Sequence, residues 1–460
     1  MNSVLGIDLG TSSVKVLQVF ADKTIVKAKA EYEEISTEGW WKGICHALSQ
    51  LDLSEVKGIG LSSQVGTYII NDTDVISWSD GAGAEELAWV KEHYDTETFV
   101  KEISMPYPNI ISYPIGRLKY IKKHFSKVES VCQPKDFICE KLTGNRVTDP
   151  YSWRGLANLK TQTYSQYFLD EIGFPIEKLP RIIDYREIAG YTKELSLGHT
   201  SLPQGIPVYV GLNDYYASLL GMGIQKNGDM FDITGTSEHL GIIEETICMN
   251  SKMVSGPYLH EHVHYGVTAS SGASLDFGLR LLENETIELE SMTKRQPPIF
   301  LPYLNGERAP IWDADARGMF FGLHGECTKE DMAYAVFEGV VFSLYHIYEA
   351  MGKPFASGMK IGGGASVNPL LNQLKAELFQ IPVWMVEEKD TSALGAAMIG
   401  VLGCGWYEKE QEVIEALCSV KEKIEPTGNY KKWLMKRFEI YKALYPAVKE
   451  QYQKLKELSV

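Results

Sequence analysis

No uninterrupted apolar run approaches the roughly 18 residues that a bilayer-crossing helix needs, so no membrane span is expected. The opening Met1-Asn2-Ser3-Val4-Leu5-Gly6-Ile7-Asp8 has no basic segment leading into a longer apolar one, and no secretory signal is expected. Cysteine is sparse and scattered: seven residues, odd in number and never spaced Cys-x-x-Cys, which argues against a disulfide framework or structural zinc and for reduced thiols in the cytoplasm. Basic residues are in deficit, 45 Lys+Arg against 60 Asp+Glu, for a formal charge of −15. Nucleic acids and anionic membranes are bound through a cationic excess, so neither is expected as a partner. An anionic ligand would have to be held locally.

What the chain does have is enough apolar material for real cores: 44 % apolar and 11 % aromatic residues over 460 positions. At roughly 150 residues per domain this length suggests two or three units. Ser3 to Leu9 is an apolar run ending near Asp8. It turns through Gly10-Thr11-Ser12-Ser13 and resumes as an alternating strand from Val14 to Phe20. Gly10 suits the tight turn, and the following hydroxyls join a cluster of backbone N–H groups suited to phosphate. A similar segment, Gly228-Asp229-Met230-Phe231-Asp232-Ile233-Thr234-Gly235-Thr236-Ser237, occurs about half the chain later, the pattern left by duplication of one α/β domain.

The pieces between fit an α/β alternation. Val56 to Ser62 and Thr67 to Asn71 read as strands, Ala84 to His93 and Tyr113 to His124 as amphipathic helices. Gly205 to Gly211 reads as a strand entering a loop at Asn213-Asp214, followed by a small-residue helix from Tyr215 to Gly223. The glycine-flanked stretch Gly223 to Gly228 is the expected domain junction. Further on, Asp331 to Met351 reads as a long apolar helix, Met359 to Gly362 as a strand, Gly362-Gly363-Gly364-Ala365-Ser366 as a glycine loop before a helix starting near Asn368, and Tyr430 to Leu458 as a solvated helix docked by Tyr and Leu.

Several ordered motifs together resemble the FGGY family of carbohydrate kinases: Gly6-Ile-Asp-Leu-Gly-Thr-Ser-Ser13, the block Leu301-Pro-Tyr-Leu-Asn-Gly-Glu-Arg-Ala-Pro-Ile-Trp-Asp313, Ala316 to Leu323 followed by Asp331 to Glu338, and Gly362 to Asn368. The resemblance spans nearly the whole chain. It implies an α/β fold of two actin-like ATPase, ribonuclease H-like domains with a cleft between them, residues 1–224 binding sugar and carrying the base, residues 225–460 binding nucleotide. It also implies ATP and Mg²⁺ as cofactors, a small sugar or polyol as substrate, and allows a homodimer.

Position by position, Asp214 matches the family's catalytic aspartate and is assigned as general base. By residue preference alone an aspartate there also suits capping of the following helix. Asp8, with Asp214, corresponds to the metal-positioning carboxylates. Gly10, Thr11 and Ser12 match the first phosphate loop, Gly235 and Thr236 the second. Gly363, Gly364, Ala365 and Asn368 match the adenosine segment, with Gly272 a further candidate for that pocket. Gln64, Trp78 and Asp80 match positions lining the sugar pocket, although core packing would equally explain Trp78. Arg117 falls near a basic family position. His239, His260 and His264 show no metal-ligand spacing.

Departures bear on the substrate. Glycerol kinases follow the glutamine with Arg-Glu, and here Val65-Gly66 stands instead; xylulokinases have Met-His there and Asn after the catalytic Asp, where this chain has Tyr215. After Trp78-Ser-Asp80 the usual arginine is missing, replaced within Gly81-Ala82-Gly83. The small residues at 65, 66 and 81 are expected to admit a longer sugar. The expected activity is phosphorylation of a ketose, such as a xylulose-like sugar, or a polyol. The rivals are an actin-like nucleotide-driven assembly protein and a sugar-binding regulator without kinase activity.

Overall fold

The computed structural model describes residues 1–32, 34–235, 237–281 and 287–458. They form two compact units, unit 1 comprising Met1–Gly223, Gly256–Tyr258 and Asp390–Ser419, unit 2 comprising Ile224–Ser255, Leu259–Lys389 and Val420–Val460. Asp390–Ser419 therefore pack with unit 1, although the split into 1–224 and 225–460 drawn from sequence placed them in the second half.

Unit 1 is built on a six-stranded sheet. β1 (Ser3–Leu9) is buried along its whole length and pairs antiparallel with β2 (Ser13–Phe20), which pairs with the half-exposed β3 (Ile25–Glu31). On its other side β1 runs parallel to β4 (Val56–Ser63). The sheet closes with β5 (Ile188–Tyr191) and β6 (Pro207–Asn213), in the order β5–β6–β4–β1–β2–β3. Strands in the middle of such a sheet are covered on both faces, which is why β1 and β4 read as near-continuous apolar runs. The helix α1 (Thr37–Leu48), capped by Ser36, buries Trp40, Ile44, Ala47 and Leu48 at helical spacing.

The helix Thr391–Gly403 packs on β1 and β4. Its Ala/Gly composition permits backbone-to-backbone contact: a Cβ built on Gly60 of β4 would stand 1.8 Å from the Ala396 carbonyl oxygen, and one on Gly6 of β1 2.1 Å from that of Ala393. This close seating is the physical reason that Asp390–Ser419 belong to unit 1.

Unit 2 repeats the plan. β7 (Met230–Thr234) pairs antiparallel with β8 (His239–Glu244), which pairs with β9 (Glu261–Val267), while β10 (Met359–Gly363) runs parallel to β7 and β11 (Val383–Val386) parallel to β10, with β12 (Val420–Ile424) at the edge. Six of this sheet's seven strands, in the order β9–β8–β7–β10–β11–β12, match those of unit 1 pair by pair, so the duplication read from the Asp8 and Asp232 segments is present in the topology. The long helix α2 (Lys329–Ala350), whose N-terminus carries a Thr328/Asp331 capping box, is buried over most of its length.

Among the described residues no helix is long and apolar enough to cross a membrane. All seven cysteines are free thiols.

Candidate active site

The register of unit 1 gathers the expected residues at one end of its parallel strands. Asp8, next to last in β1, lies beside Ser62 of β4; Leu212 of β6 lies on the other side of Ser62, and Asn213 beside Ser63. Asp214 follows Asn213 directly, and Gln64 follows β4, its backbone N–H donating to the Leu9 carbonyl at 2.8 Å. These are the C-terminal ends of parallel strands, where α/β sheets present their ligands.

Asp214 is the first residue of the helix Asp214–Gly221, and its cap is Asn213, whose side-chain oxygen accepts from Tyr216 N–H at 3.1 Å. The capping role is thereby filled, and the Asp214 carboxylate accepts from the Tyr215 N–H at 2.8 Å. Burial raises its pKa to about 7, and the negative charge of Asp8 pushes the same way against the pull of the Tyr215 and Val65 amides. At position 65, then, it is the backbone that faces the carboxylate, which leaves the side chain there unconstrained by this contact.

Asp8 is buried, and its own pKa is raised by that burial. Ser392 Oγ donates to Asp8 Oδ2 at 2.6 Å, and Oδ1 has no hydrogen-bond partner among the described residues. The first loop is tied down beside it: Gly10 N–H donates to the Ser13 carbonyl at 3.0 Å, and the Tyr32 hydroxyl donates to the Gly10 carbonyl. Thr11 and Ser12 are exposed at its tip. Gln64 is only 3 % exposed, yet its Nε2 has no partner among the described residues.

Trp78 is no core residue. It is 38 % exposed, and its Nε1–H donates to Thr11 Oγ1 at 3.2 Å, which joins the expected sugar wall to the expected phosphate loop. Asp80 is exposed, its carboxylate accepting from the Ala82 N–H at 2.8 Å. The loop carrying both is held from below by Arg117, fully buried, whose Nη2 donates to the carbonyls of Ser77 at 3.0 Å and Asp80 at 2.7 Å. Hydrogen bonds from a charged donor are worth about 1.5–3 kcal/mol each. Arg117→Lys, which keeps charge but loses this two-way grip, is expected to raise the sugar KM about tenfold with the ATP KM within twofold, measured by steady-state kinetics.

Two of the three positions expected to enlarge the pocket behave differently. Gly66 has φ +82°, and a Cβ there would meet Ser112 Oγ at 2.5 Å, so its missing side chain is a demand of the turn and the space is filled from position 112. Gly81 has nothing within 4 Å of a built Cβ and is open.

In unit 2, Gly235 follows β7 directly, and Thr236 lies outside the described residues. Thr234 links this loop to the glycine segment: its hydroxyl donates to the Gly362 carbonyl at 2.9 Å and accepts from the Ala365 N–H at 3.0 Å. Gly363 has φ +94°, and a Cβ on it would sit 2.1 Å from the Thr234 carbonyl oxygen, whereas a Cβ on Gly364 would meet nothing within 4 Å. The two glycines therefore differ, one required by the fold and the other open to a ligand. Gly364→Val is expected to leave thermal stability within about 1 kcal/mol of the parent and to raise the ATP KM about tenfold, with the sugar KM unchanged. Asn368 caps the helix Pro369–Phe379, accepting from the Leu371 N–H at 3.1 Å. Gly272 lies in the helix Ser271–Leu279.

The sequence matches the model of the FGGY family of carbohydrate kinases, N-terminal domain, over residues 3–221 and that of the C-terminal domain over residues 231–404. The chain belongs to the FGGY family of carbohydrate kinases. It is 28 % identical to a xylulose kinase of Staphylococcus xylosus, covering 97 % of this chain and 100 % of that protein, and 27 % identical to a glycerol kinase of Aquifex aeolicus, covering 93 % and 94 %. In structure it is similar to the ligand-bound xylulose kinase of Lactobacillus acidophilus, with TM-score 0.85, 23 % identity and coverage of 99 % and 100 %. The glycerol kinase of Plasmodium falciparum with ADP also gives TM-score 0.85, at 19 % identity and coverage of 97 % and 98 %. The fold is accordingly the two-domain actin-like, ribonuclease H-like α/β fold. The activity of an FGGY carbohydrate kinase is ATP-dependent phosphorylation of a sugar or polyol hydroxyl, so ATP is a substrate and a small carbohydrate the acceptor.

Within this FGGY chain the motif block from Leu301 to Asp313 has a structural centre. Glu307 is buried and accepts from the N–H groups of Ala269 and Arg308, both at 2.8 Å, and from Ser343 Oγ at 3.0 Å, tying the block to α2 and to the segment after β9. Sequence reasoning missed Ser392, Thr234 and Lys375. Ser392 gives no local signal, being 384 residues from its partner. Lys375 does: with Leu371, Leu374 and Leu378 it lies on the apolar stripe of its helix, where a lysine is out of place unless paired.

Proposed function

We propose that this FGGY kinase transfers the γ-phosphoryl group of ATP to a hydroxyl of a ketose, a xylulose-like sugar, with Asp214 as general base. The observation that carries the reading is the juxtaposition of Asp8, Gln64 and Asp214 at the ends of parallel strands, with the Asp214 carboxyl raised to about 7. A carboxylate of that basicity is matched to taking a hydroxyl proton near neutral pH as the bond to phosphorus forms. Gln64 supplies an unengaged amide donor for a sugar hydroxyl, Trp78 an apolar wall, and Asp80 an acceptor. In unit 1, Thr11 and Ser12 hold phosphate through backbone N–H and hydroxyl groups while Gly10 shapes the turn; in unit 2, Gly235, Thr236 and Gly364 serve the nucleotide while the Ala365 N–H ties their segment to Thr234.

Mg²⁺ belongs to the same proposal, and the residues present fit it. Asp8 offers a hard oxygen donor, Oδ1, that is buried without a partner, while Ser392 fixes the other oxygen. Among the described residues no group of three or more His, Cys, Asp or Glu could hold a metal. Asp8 and Asp214 would therefore hold the ion as one or two carboxylates do when phosphates complete its shell. Bound there, it offsets the charge of the β- and γ-phosphates. We place the reaction in the cytoplasm, where ATP is at hand and the phosphate charge retains the product.

The relatives named xylulose kinase support the ketose. Glycerol is disfavoured because the Arg-Glu pair is replaced by Val65-Gly66, and the left-handed backbone of Gly66 against Ser112 leaves no place for a glutamate. At saturating MgATP, kcat/KM for D-xylulose is expected to exceed those for glycerol and gluconate at least tenfold. A higher value for glycerol or gluconate would overturn the ketose assignment.

A further inference from the structure

Unit 2 contains a buried charge cluster that the catalytic reading does not use. Lys375 Nζ donates to Asp232 Oδ2 and, at 2.7 Å, to Glu238 Oε1; Ser271 Oγ donates to Glu238 Oε2. All three charged side chains are at most 1 % exposed. Asp232 Oδ1 has no partner among the described residues.

The placement of this cluster follows from an offset between the duplicated strands. Counted back from the glycine that follows each strand, Asp8 stands two residues before Gly10, and Asp232 three residues before Gly235. Strand side chains alternate between faces, so the one-residue difference turns Asp232 to the opposite face of its strand, where the helix Pro369–Phe379 covers it. Asp232 is thus no counterpart of the catalytic-site aspartate. It became available for a different task.

Asp232 and Glu238 bracket the segment 233–237, the expected second phosphate loop. Lys375 sits on the helix that follows directly from Gly363, Gly364, Ala365 and its cap Asn368. One ammonium therefore grips both ends of the phosphate loop and the helix that carries the glycine segment. Buried ion clusters contribute little net stability compared with apolar packing, because desolvation offsets their attraction. Their directional bonds do fix geometry. Backbone donors for a polyphosphate are effective only when held in place before the ligand arrives.

We propose that Lys375, with Asp232 and Glu238, is a positioning residue for the nucleotide, holding the 233–237 loop and the 363–368 segment in their binding arrangement. The proposal rests on the assignment of these two segments to ATP. Asp232 is pushed well above the usual carboxylate range by burial and by Glu238, whereas Lys375 holds Glu238 ionised.

The test uses the full chain and isothermal titration with ADP in the absence of sugar, beside steady-state KM values. Lys375→Gln alone leaves the buried Glu238 carboxylate without its cation and is expected to lose fold stability. The double variant Lys375→Gln/Glu238→Gln removes the charge pair while retaining hydrogen-bonding groups, and is expected to stay folded. In that double variant the ADP Kd and ATP KM should rise at least tenfold and the sugar KM stay within twofold. An ADP Kd within twofold of the parent in the folded double variant would overturn the proposal, as would equal rises in both KM values, which a merely structural role produces. Gly364→Val separates the two readings. If it weakens ADP while the double variant does not, Lys375 alone has been misassigned. If neither weakens ADP, the nucleotide assignment of these segments falls as well.

Discussion

Asp214→Asn is expected to lower kcat by a factor of about 10²–10⁴, the usual contribution of a general base, with the sugar and ATP KM values changed only a few-fold. The same change should make the protein more stable above neutral pH. In the folded chain the Asp214 carboxyl is raised to about 7 from an ordinary value of 3.8 by burial and by Asp8. A raised acid binds its proton more tightly when folded, so it destabilises the fold increasingly as pH rises from about 4 to about 7, and fully above that. Asparagine carries no such penalty. The gain at pH 8 is on the order of 2–3 kcal/mol, allowing for partial exposure. Thermal unfolding of parent and variant at pH 4.5 and pH 8 checks this. The two curves should nearly coincide at the lower pH, with the inactive variant melting higher at the upper one. A variant that is inactive because it is misfolded would melt lower at both.

Gly60→Val should be as damaging to the fold as Asp214→Asn is to turnover. The contact involved is between backbones: a Cβ at position 60 falls 1.8 Å from the Ala396 carbonyl oxygen, and no side-chain rotation relieves it. The helix Thr391–Gly403 would have to move away from β1 and β4, carrying Ser392 off Asp8. Overpacking that flexible side chains can absorb costs about 1–3 kcal/mol, and a backbone clash in a sheet centre should reach or exceed the upper figure. Gly81→Val serves as the control, because nothing lies within 4 Å of a Cβ there. Urea unfolding should show a lowered midpoint for the first variant and an unchanged one for the second. Equal midpoints would mean that the helix seats less tightly than described.

Much of this was readable beforehand because the signals are local. The helix Ala84–His93 occupies the expected residues, and the strand at 359 and the long helix before it differ by one or two at their ends. Periodicity fixes such elements wherever one face is buried. The positions of Asp8 and Asp214 at strand ends followed from the turn residues after their apolar runs, whereas Gln64 came from the family resemblance. What could not be read depends on partners distant in sequence. Ser392 is an unremarkable serine until a helix near residue 400 is seated on β1. That Asp390–Ser419 pack with unit 1 was not legible for the same reason, since the Gly/Ala stripe of that helix reads equally well as core of either half. Trp78 was ambiguous between wall and core because an indole suits both, and only its bond to Thr11 decides. The echo of Asp8 at Asp232 was correct as a mark of duplication and silent about the one-residue offset that reverses its face.

The measurement that tests the account most directly is the stoichiometry of turnover by the full-length protein with MgATP and D-xylulose, following ADP and sugar phosphate together. The account predicts one ADP formed for each sugar phosphorylated, with ADP release nearly absent when either sugar or the Asp214 carboxylate is removed. ADP release at the same rate without sugar, or sugar phosphorylation undiminished in Asp214→Asn, would contradict it.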